Sequence, residues 1–346
     1  MKDIAIVILN WNGEHFLKKY LRKIINDTTD DISEIIIIDN NSSDNSIKYI
    51  SENFPEIRII ELEKNFGFAG GYNHGLKELQ HKYFILLNTD IETTPQWHRI
   101  LYNLMEEDES IGVCGPKLLQ IEDRKKFEYS GAAGGFIDKN GYPFCRGRIF
   151  DTCEIDEGQY DSQIYCFWIS GAALMIRSEL FFKLNGFDER FFTHQEEIDL
   201  CWRIQNIGYK IVCEPKSKIY HLGGGTLNKT NPTKTYLNYR NNLYLIEKNM
   251  PKFKRNFVKF VRLFYDGFAT MQFFVIGKPK HSIAIIKAYF HFWFNANKMA
   301  KNRKIIKPKA MKYLDGFVNK NIIWKYFLKR KKTYSEIIKT KTNKFC

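Results

Sequence analysis

The 346 residues carry 44% hydrophobic and 15% aromatic side chains, which excludes a disordered chain and exceeds one small core, so one large domain with an appendage, or two domains, is expected. The formal charge of +14 is lopsided: residues 251–346 hold 24 Lys and Arg against Asp266, Asp315 and Glu336, while the first 250 residues are net acidic. Any nucleic-acid or anionic-lipid partner is therefore assigned to the tail.

The first hundred residues alternate in type. The apolar run "IAIVILN" ends at Asn10, and "EHFLKKYLRKIIN" places Phe16, Leu17, Tyr20, Leu21, Ile24 and Ile25 on one helical face. A second buried strand, "EIIIIDN", is followed by a helix in "SDNSIKYISEN", and then a third strand, "IRIIEL". A glycine-rich turn leads into a short helix through Leu79, and "KYFILLNTD" is a fourth strand. Pro95 opens a further helix, "PQWHRILYNLMEED", where its missing N–H costs nothing. Continuously apolar strands separated by helices predict an α/β fold with a mostly parallel sheet covered on both faces. Ligands in such sheets sit beyond the carboxyl ends of the strands, which puts Asn10, Asp39 and Asp90 on one rim. Residues 115–170 are Gly-rich with little periodicity. Order returns with "FWISGAALMIRSELFFKLNGFDERFFTHQEEIDLCWRIQNIGYKI", then "KIYHLGGGT", and then a helix through "YLNYRNNLYLIEKNM". After Pro251 the chain becomes basic and aromatic, and a boundary is placed there. The expected division is 1–250 catalytic, with halves at about 1–115 and 116–250, and 251–346 helical.

Three stretches carry chemistry. Asp39, in "DNNSSDNS", sits at a strand end where a carboxylate can accept from a base or ribose hydroxyl. Ser42, Ser43 and Asp44 behind it read as turn and cap residues. The glycines of "NFGFAGGYNHG" allow close backbone approach to a ligand ahead of a helix N-terminus. A tight turn without a ligand explains them equally, since the stretch is neither GxGxxG nor a P-loop. Asp90 in "NTD" can hold Mg2+ or Mn2+, hard cations that share oxygen ligands with substrate phosphates; alone it reads first as a solvated turn, and the agreement of three strand ends favours the ligand.

Taken together, "VILNWNG", "IIIIDNNSSDNS", "NFGFAGGYNHGL", "LLNTD", "SGAALMIRSELF", "GFDERFFTHQEEIDLCWR" and "YHLGGGT" resemble, in order, the family 2 glycosyltransferases over about residues 3 to 245. The resemblance implies a GT-A fold and an inverting, metal-dependent enzyme using a nucleotide-diphospho-sugar. It is closest to the bacterial rhamnosyltransferase-like branch that builds cell-surface polysaccharide. It implies that Asp39 contacts the nucleotide base, that Asn65, Gly71 and Asn73 line the donor cleft, and that Asp90 is the surviving carboxylate of a DxD-type motif. Asn88 replaces the first Asp of that motif and puts strict metal dependence in question.

In "THQEEIDLCWR", Thr193 and Glu196 have capping-box spacing, which assigns Glu196 to structure at the edge of the acceptor pocket. Glu197 occupies the position that the resemblance implies is the general base for the acceptor hydroxyl. Asp199 and Arg203, four apart, read as a supporting ion pair. The resemblance makes His221 a second metal ligand and the glycines behind it a mobile loop. Trp168 and Ser170 are carried as acceptor or sugar-pocket residues, with core packing an equal reading for Trp168.

In the tail, "FATMQFFVIGKP", "AIIKAYFHFWFNANKMAKNRKIIK" and "NIIWKYFLKRKK" mix aromatics with Lys and Arg. Such a surface suits nucleic acid or an anionic bilayer. The bilayer is preferred because the resemblance implies a glycan or polyprenyl-linked glycan acceptor; an ordinary helical subdomain is the plain alternative. Seven Cys without CxxC pairs, no signal-peptide region at the start, and no apolar stretch near about 18 residues suggest a cytoplasmic protein on the inner membrane face. A nucleotidyltransferase and a catalytically silent relative are the rival readings.

Overall fold

A computed structural model describes residues 2–28, 30–223, 231–301 and 306–338. The first half runs β1 (Ile4–Asn10), α1 (Glu14–Thr28), β2 (Ser33–Asp39), α2 (Ser46–Asn53), β3 (Arg58–Glu61), α3 (Gly67–Gly75), β4 (Tyr83–Leu87), β5 (Ile91–Glu92), α4 (Trp97–Glu107) and β6 (Ile111–Gln120). Short strands β7 (Gly135–Asp138), β8 (Pro143–Cys145), β9 (Arg148–Ile149), β10 (Thr152–Cys153) and β11 (Ile164–Tyr165) follow. Then come β12 (Ala173–Arg177), α5 (Ser178–Lys183), α6 (Glu196–Asn206), β13 (Lys210–His221) and α7 (Pro232–Asn249). The chain closes with α8 (Lys252–Val275), α9 (Pro279–Lys301), β14 (Phe317–Val318) and α10 (Tyr334–Ile338).

The main sheet has the order β11-β13-β6-β12-β4-β1-β2-β3, with β5 paired to β13. Strand β1 is parallel to both β2 and β4. Its pleat sends Ile4, Ile6 and Ile8 into one core with Leu17, Tyr20, Leu21 and Trp97, and Ala5 and Val7 into the other with Tyr72 and Phe84. This double burial is why the strands read as continuous apolar runs. The sheet is mixed, because β12 runs antiparallel between β4 and β6. A fully apolar strand carries no direction in its own pattern.

Two helix starts differ from the expectation. Helix α4 begins at Trp97, not Pro95, because the Gln96 N–H donates to the Asp27 carbonyl at 3.1 Å and Gln96 enters the helix at φ 61°. Helix α3 contains the glycines instead of following them. A Cβ at Gly75 would lie 2.2 Å from Ile38 Cδ1, and one at Gly71 would lie 2.7 Å from Leu9 Cδ1. These glycines therefore let the helix backbone lie on the sheet.

A second sheet, β10-β9-β8-β7-β14, fills the region that had no periodicity. Its last strand comes from beyond residue 306 and pairs in parallel with β7. Tyr334 packs on Phe136, Phe144 and Tyr160. The chain after Pro251 thus divides into an α8–α9 hairpin and a segment stitched back onto the 135–160 region.

Candidate active site

The carboxyl ends of β1, β2 and β4 form one rim. Asn10 and Asp39 are register partners, and Ile8 pairs with Leu87, so Asn88 and Asp90 continue past the same end. Asn10 Nδ2 donates to Asp39 Oδ1 at 2.8 Å and to Ser42 Oγ at 3.1 Å. The Ser42 N–H and hydroxyl donate to the two Asp39 oxygens at 2.8 and 2.7 Å. Ser42 is therefore part of the rim as well as of the turn. Asn10 Oδ1 is buried without a partner. Trp11 follows directly and is 48% exposed, a residue that the sequence reading passed over; an aromatic immediately after the first strand is the signal for it.

Asn65 Oδ1 accepts from Asn40 Nδ2 at 3.0 Å and from the Gly67 N–H at 2.8 Å, fixing the start of α3. Asn73 is placed differently from the donor-cleft expectation. Its amide donates to the Phe187 carbonyl at 2.8 Å and accepts from the Phe187 N–H at 2.8 Å. It lines a cavity of about 310 Å3 with Asp188, Arg203 and Lys248, none of which belongs to the strand-end group. Asn73 is a staple between α3 and the 187–189 turn. Gly71 likewise serves the contact with Leu9 and Asn40.

Asp90 meets His221 because β5 pairs antiparallel with the end of β13, Ile91 opposite His221. His221 Nε2 lies 3.1 Å from Asp90 Oδ1, and Nδ1 lies 3.3 Å from Glu128 Oε1, close enough to attract but not aligned for a hydrogen bond. Glu128 Oε2 accepts from the Ser130 and Gly131 N–H groups at 2.6 and 3.1 Å. All three side chains are buried. Burial disfavours charge on the imidazole, yet Asp90 and Glu128 outweigh it and raise His221 to about 10. Burial also pushes Asp90 upward, and the neighbouring His221 more than compensates, leaving it below its ordinary value. Glu128 was missed because it lies in the unpatterned "FEYSGAAGG"; an acidic residue two before a Ser-Gly turn is the only local hint.

Among the described residues, no group of three or more His, Cys, Asp or Glu has the arrangement of a metal cage. Asp90 and His221 nevertheless fit a divalent cation of the shared kind, which needs one or two protein ligands and completes its shell with phosphate oxygens and water. Glu128, 3.3 Å behind Nδ1, places a carboxylate on the side of the ring away from Asp90, where such a group supports a ligating histidine. Gly224, Gly225 and Thr226 of the expected mobile loop lie outside the described residues.

The acid-bearing loop is backbone-strained. Phe192, His194 and Gln195 have φ of 66°, 71° and 70°, the left-handed region that costs a non-glycine residue. Helix α7 holds them there. Asn241 Nδ2 donates to the carbonyls of Phe191, Thr193 and His194 at 3.0, 2.8 and 2.7 Å. Arg240 donates to Arg190 and Phe191 carbonyls at 3.1 and 2.9 Å. With those carbonyls tied, the capping box expected from Thr193 does not form: Gln195 precedes the helix and no side chain caps it.

Glu196 is buried with one oxygen unpartnered. Burial and then the Glu197 charge raise its carboxyl well above the usual range. Glu197 is half-buried, with Oε2 enclosed and unpartnered. Burial raises it to about 7 against the pull of backbone N–H groups in the helix start. Asp199 and Arg203 do pair, at 2.8 Å, within a buried network that includes Lys248 at 2.8 Å.

One segment joins the two halves of the site. The Asn88 N–H donates to the Ala172 carbonyl at 3.0 Å. A Cβ on Gly171 would lie 3.7 Å from Glu197 Cβ, and one on Gly131 would lie 2.7 Å from Ser170 Cβ. Ser170, whose Oγ accepts from the Ala172 N–H at 3.3 Å, thus stands between the Glu128 turn and Glu197. Trp168 is a correction: it is 3% exposed, covers Gly135 and donates Nε1–H to the Phe136 carbonyl at 3.1 Å. Its face is consumed by the core and offers no sugar platform.

The chain is similar to known proteins in sequence and in fold. The chain is 24% identical over 250 residues, 70% of its length and 74% of the relative's, to "Low-salt glycan biosynthesis hexosyltransferase Agl10" of Haloferax volcanii. It is 24% identical over 240 residues, 64% of its length and 76% of the relative's, to "N-acetylglucosaminyl-diphospho-decaprenol L-rhamnosyltransferase" of Mycobacterium tuberculosis. The GT-A structure of GalNAc-T7 with UDP, GalNAc and Mn2+ superposes over 90% of the chain at a TM-score of 0.61 and 16% identity; the chain spans 56% of that structure's length. Residues 5–160 match the model of Glycosyl transferase family 2. The rim of β1, β2 and β4 lies inside that matched stretch, and the sheet has the GT-A fold of the solved neighbours.

Proposed function

We propose that the chain transfers a sugar, with inversion, from a nucleotide-diphospho-sugar to a hydroxyl of a glycan or lipid-linked glycan. The observation that carries this reading is the meeting of a strand-end carboxylate group and a base-like carboxyl on residues 170–172. The nucleoside lies over the β1–β2 rim, where Asp39 accepts from the base and Trp11 offers a stacking face. Asp90 and His221 would hold Mg2+ or Mn2+, with Asn88 beside them. A cation bound there would neutralise charge developing on the departing diphosphate.

Glu197 accepts the proton of the acceptor hydroxyl as its oxygen bonds to the anomeric carbon; the bond from that carbon to the diphosphate oxygen breaks, and the nucleoside diphosphate leaves with the electron pair. One displacement inverts the centre, and it needs a single base. A carboxyl near 7 is half-ionised at neutral pH, the condition in which a base is both available and strong enough. The mycobacterial relative's printed activity makes a rhamnosyl donor and a diphospho-lipid-linked acceptor the first pair to try.

The test is a panel of nucleotide-sugars scored for nucleoside diphosphate release, with and without Mg2+ or Mn2+, for wild type and Glu197→Gln. Release that needs both acceptor and Glu197 is expected. Equal turnover in the variant would overturn the assignment, and pyrophosphate release from a nucleoside triphosphate would favour a nucleotidyltransferase.

A further inference from the structure

Helix α8 is turned inside out. The side chains it buries are Arg255, Val258, Arg262 and Asp266. Its outward face carries Phe253, Phe257, Phe260, Phe264, Phe268, Met271 and Val275, between 61% and 93% exposed. These fall at intervals of three and four residues, one continuous stripe of a helix. Antiparallel to it, α9 extends the surface with Ile283, Ile286, Phe290, Trp293 and Phe294. An apolar face this large on two packed helices is an interaction surface, not scattered exposure.

The inward polar face is satisfied by the core. Arg262 pairs with Asp266 at 3.0 Å, donates to Asn242 Oδ1 and lies 3.8 Å from the centre of the Tyr142 ring. Tyr142 and Tyr289 hydroxyls donate to Asp266 at 2.9 and 2.7 Å. The orientation of the helix is therefore specified by hydrogen bonds, and the aromatic stripe is held outward by them.

Charge identifies the occupant. Residues 252–301 contain ten Lys and Arg and one acid, Asp266, which is buried against Arg262. Lys252, Lys278, Lys280, Lys287 and Lys298 have no salt-bridge partner among the described residues. A second copy docked through the same patch would bring like charges together, since a two-fold contact apposes each patch with itself. An anionic phospholipid surface matches both features: acyl chains for the aromatics and headgroups for the lysines. None of the helices among the described residues is long and apolar enough to cross a membrane, so the hairpin lies in the plane of the interface.

We infer that the α8–α9 hairpin is an in-plane anchor that docks the enzyme on an anionic bilayer. The anchor also reaches the acid loop. Asn242, which receives Arg262, donates to Gln195 Oε1 at 3.0 Å, and Gln195 immediately precedes Glu196. Docking at the hairpin thus fixes the acceptor side of the cleft relative to the lipid surface.

The test uses the full chain, without nucleotide, mixed with vesicles of phosphatidylcholine alone or with about a third phosphatidylglycerol. Co-sedimentation with the anionic vesicles is expected, weakened by raised salt and on the neutral vesicles. Trp293 emission should be quenched by brominated acyl chains, and Trp293→Phe should remove that component. Phe257→Glu combined with Phe264→Glu and Phe268→Glu should cut partitioning by at least about a hundredfold. Nucleoside diphosphate release with a soluble acceptor and the melting temperature should stay close to wild type. Lys278→Glu with Lys280→Glu, at the hairpin turn, should reduce binding to anionic vesicles only. Wild-type protein left in the supernatant with anionic vesicles would overturn the inference. So would a lipid-free dimer that the Phe→Glu set converts to monomer, or displacement of vesicles by a single-stranded oligonucleotide. Because vesicle binding needs no sugar chemistry, its failure leaves the proposed transfer reaction standing, and the reverse also holds.

Discussion

The strand-end rim and the acid loop solve the same task, presenting a carboxylate to a ligand, in opposite ways. At the rim, Asn10, Asp39 and Ser42 close on one another through four hydrogen bonds between 2.7 and 3.1 Å. Strand register sets Asn10 beside Asp39, the turn after β2 adds Ser42, and Asp39 is spared an unpaired burial. In the acid loop, Glu196 and Glu197 each keep an enclosed oxygen without a partner, and three non-glycine residues stand in the left-handed region. That arrangement persists only because α7, some fifty residues later in the chain, ties the loop carbonyls. The hydrogen-bonded carboxylate organises the rim, whereas burial pushes the unsatisfied carboxyls of the acid loop toward neutrality, where a proton can be exchanged.

The contrast can be broken by mutation. Glu197→Gln should lower kcat by about 10^2- to 10^4-fold with nucleotide affinity nearly unchanged, read by nucleoside diphosphate release and calorimetry. In wild type the ionised Glu197 is the active form, so activity falls on acidification. With its carboxyl at about 7, kcat should drop about tenfold per pH unit below that value and level off above it. A flat profile from pH 5 to 8 would place the base elsewhere.

Glu128→Gln weakens the carboxylate behind His221 and should reduce Mn2+ affinity by about 10- to 100-fold, measured by metal titration without substrate. Unchanged affinity would make Glu128 a turn residue only. Asn241→Leu removes the donor to three loop carbonyls and should cost about 1–3 kcal/mol in urea unfolding. Its kcat should fall while the donor KM holds; intact kcat would show that the loop keeps its shape without α7. The smallest effect belongs to Trp168→Phe, about 1–2 kcal/mol of stability from a lost hydrogen bond and a small void. A large rise in sugar KM there would restore the pocket role that its burial contradicts.

Legibility followed the range of the interactions. Helix α1 and strands β1, β2 and β4 were readable because burial imprints period and apolar continuity on neighbouring residues. The strand-end residues Asn10, Asp39 and Asp90 followed from those strands by geometry. Glu128 was not readable, because it meets His221 across 93 positions through a turn without periodicity. Asn241 was hidden for a related reason: Arg240, Asn241 and Asn242 sit mid-helix as buried polar residues, and a local pattern cannot say which distant carbonyls they serve. The inverted face of α8 escaped as well, since a basic aromatic helix has the same sequence whichever side packs.

From its order of residues alone, this protein determined an α/β sheet with polar strand ends and a basic aromatic tail, because local periodicity and chain direction are enough to specify them. The tertiary structure decided which way β12 runs, that Trp168 belongs to the core, that α7 strains the loop before Glu196, and that the phenylalanines of α8 face outward. Each of these depends on hydrogen bonds or contacts between segments far apart in the chain, and such pairings leave no trace in the spacing of either partner.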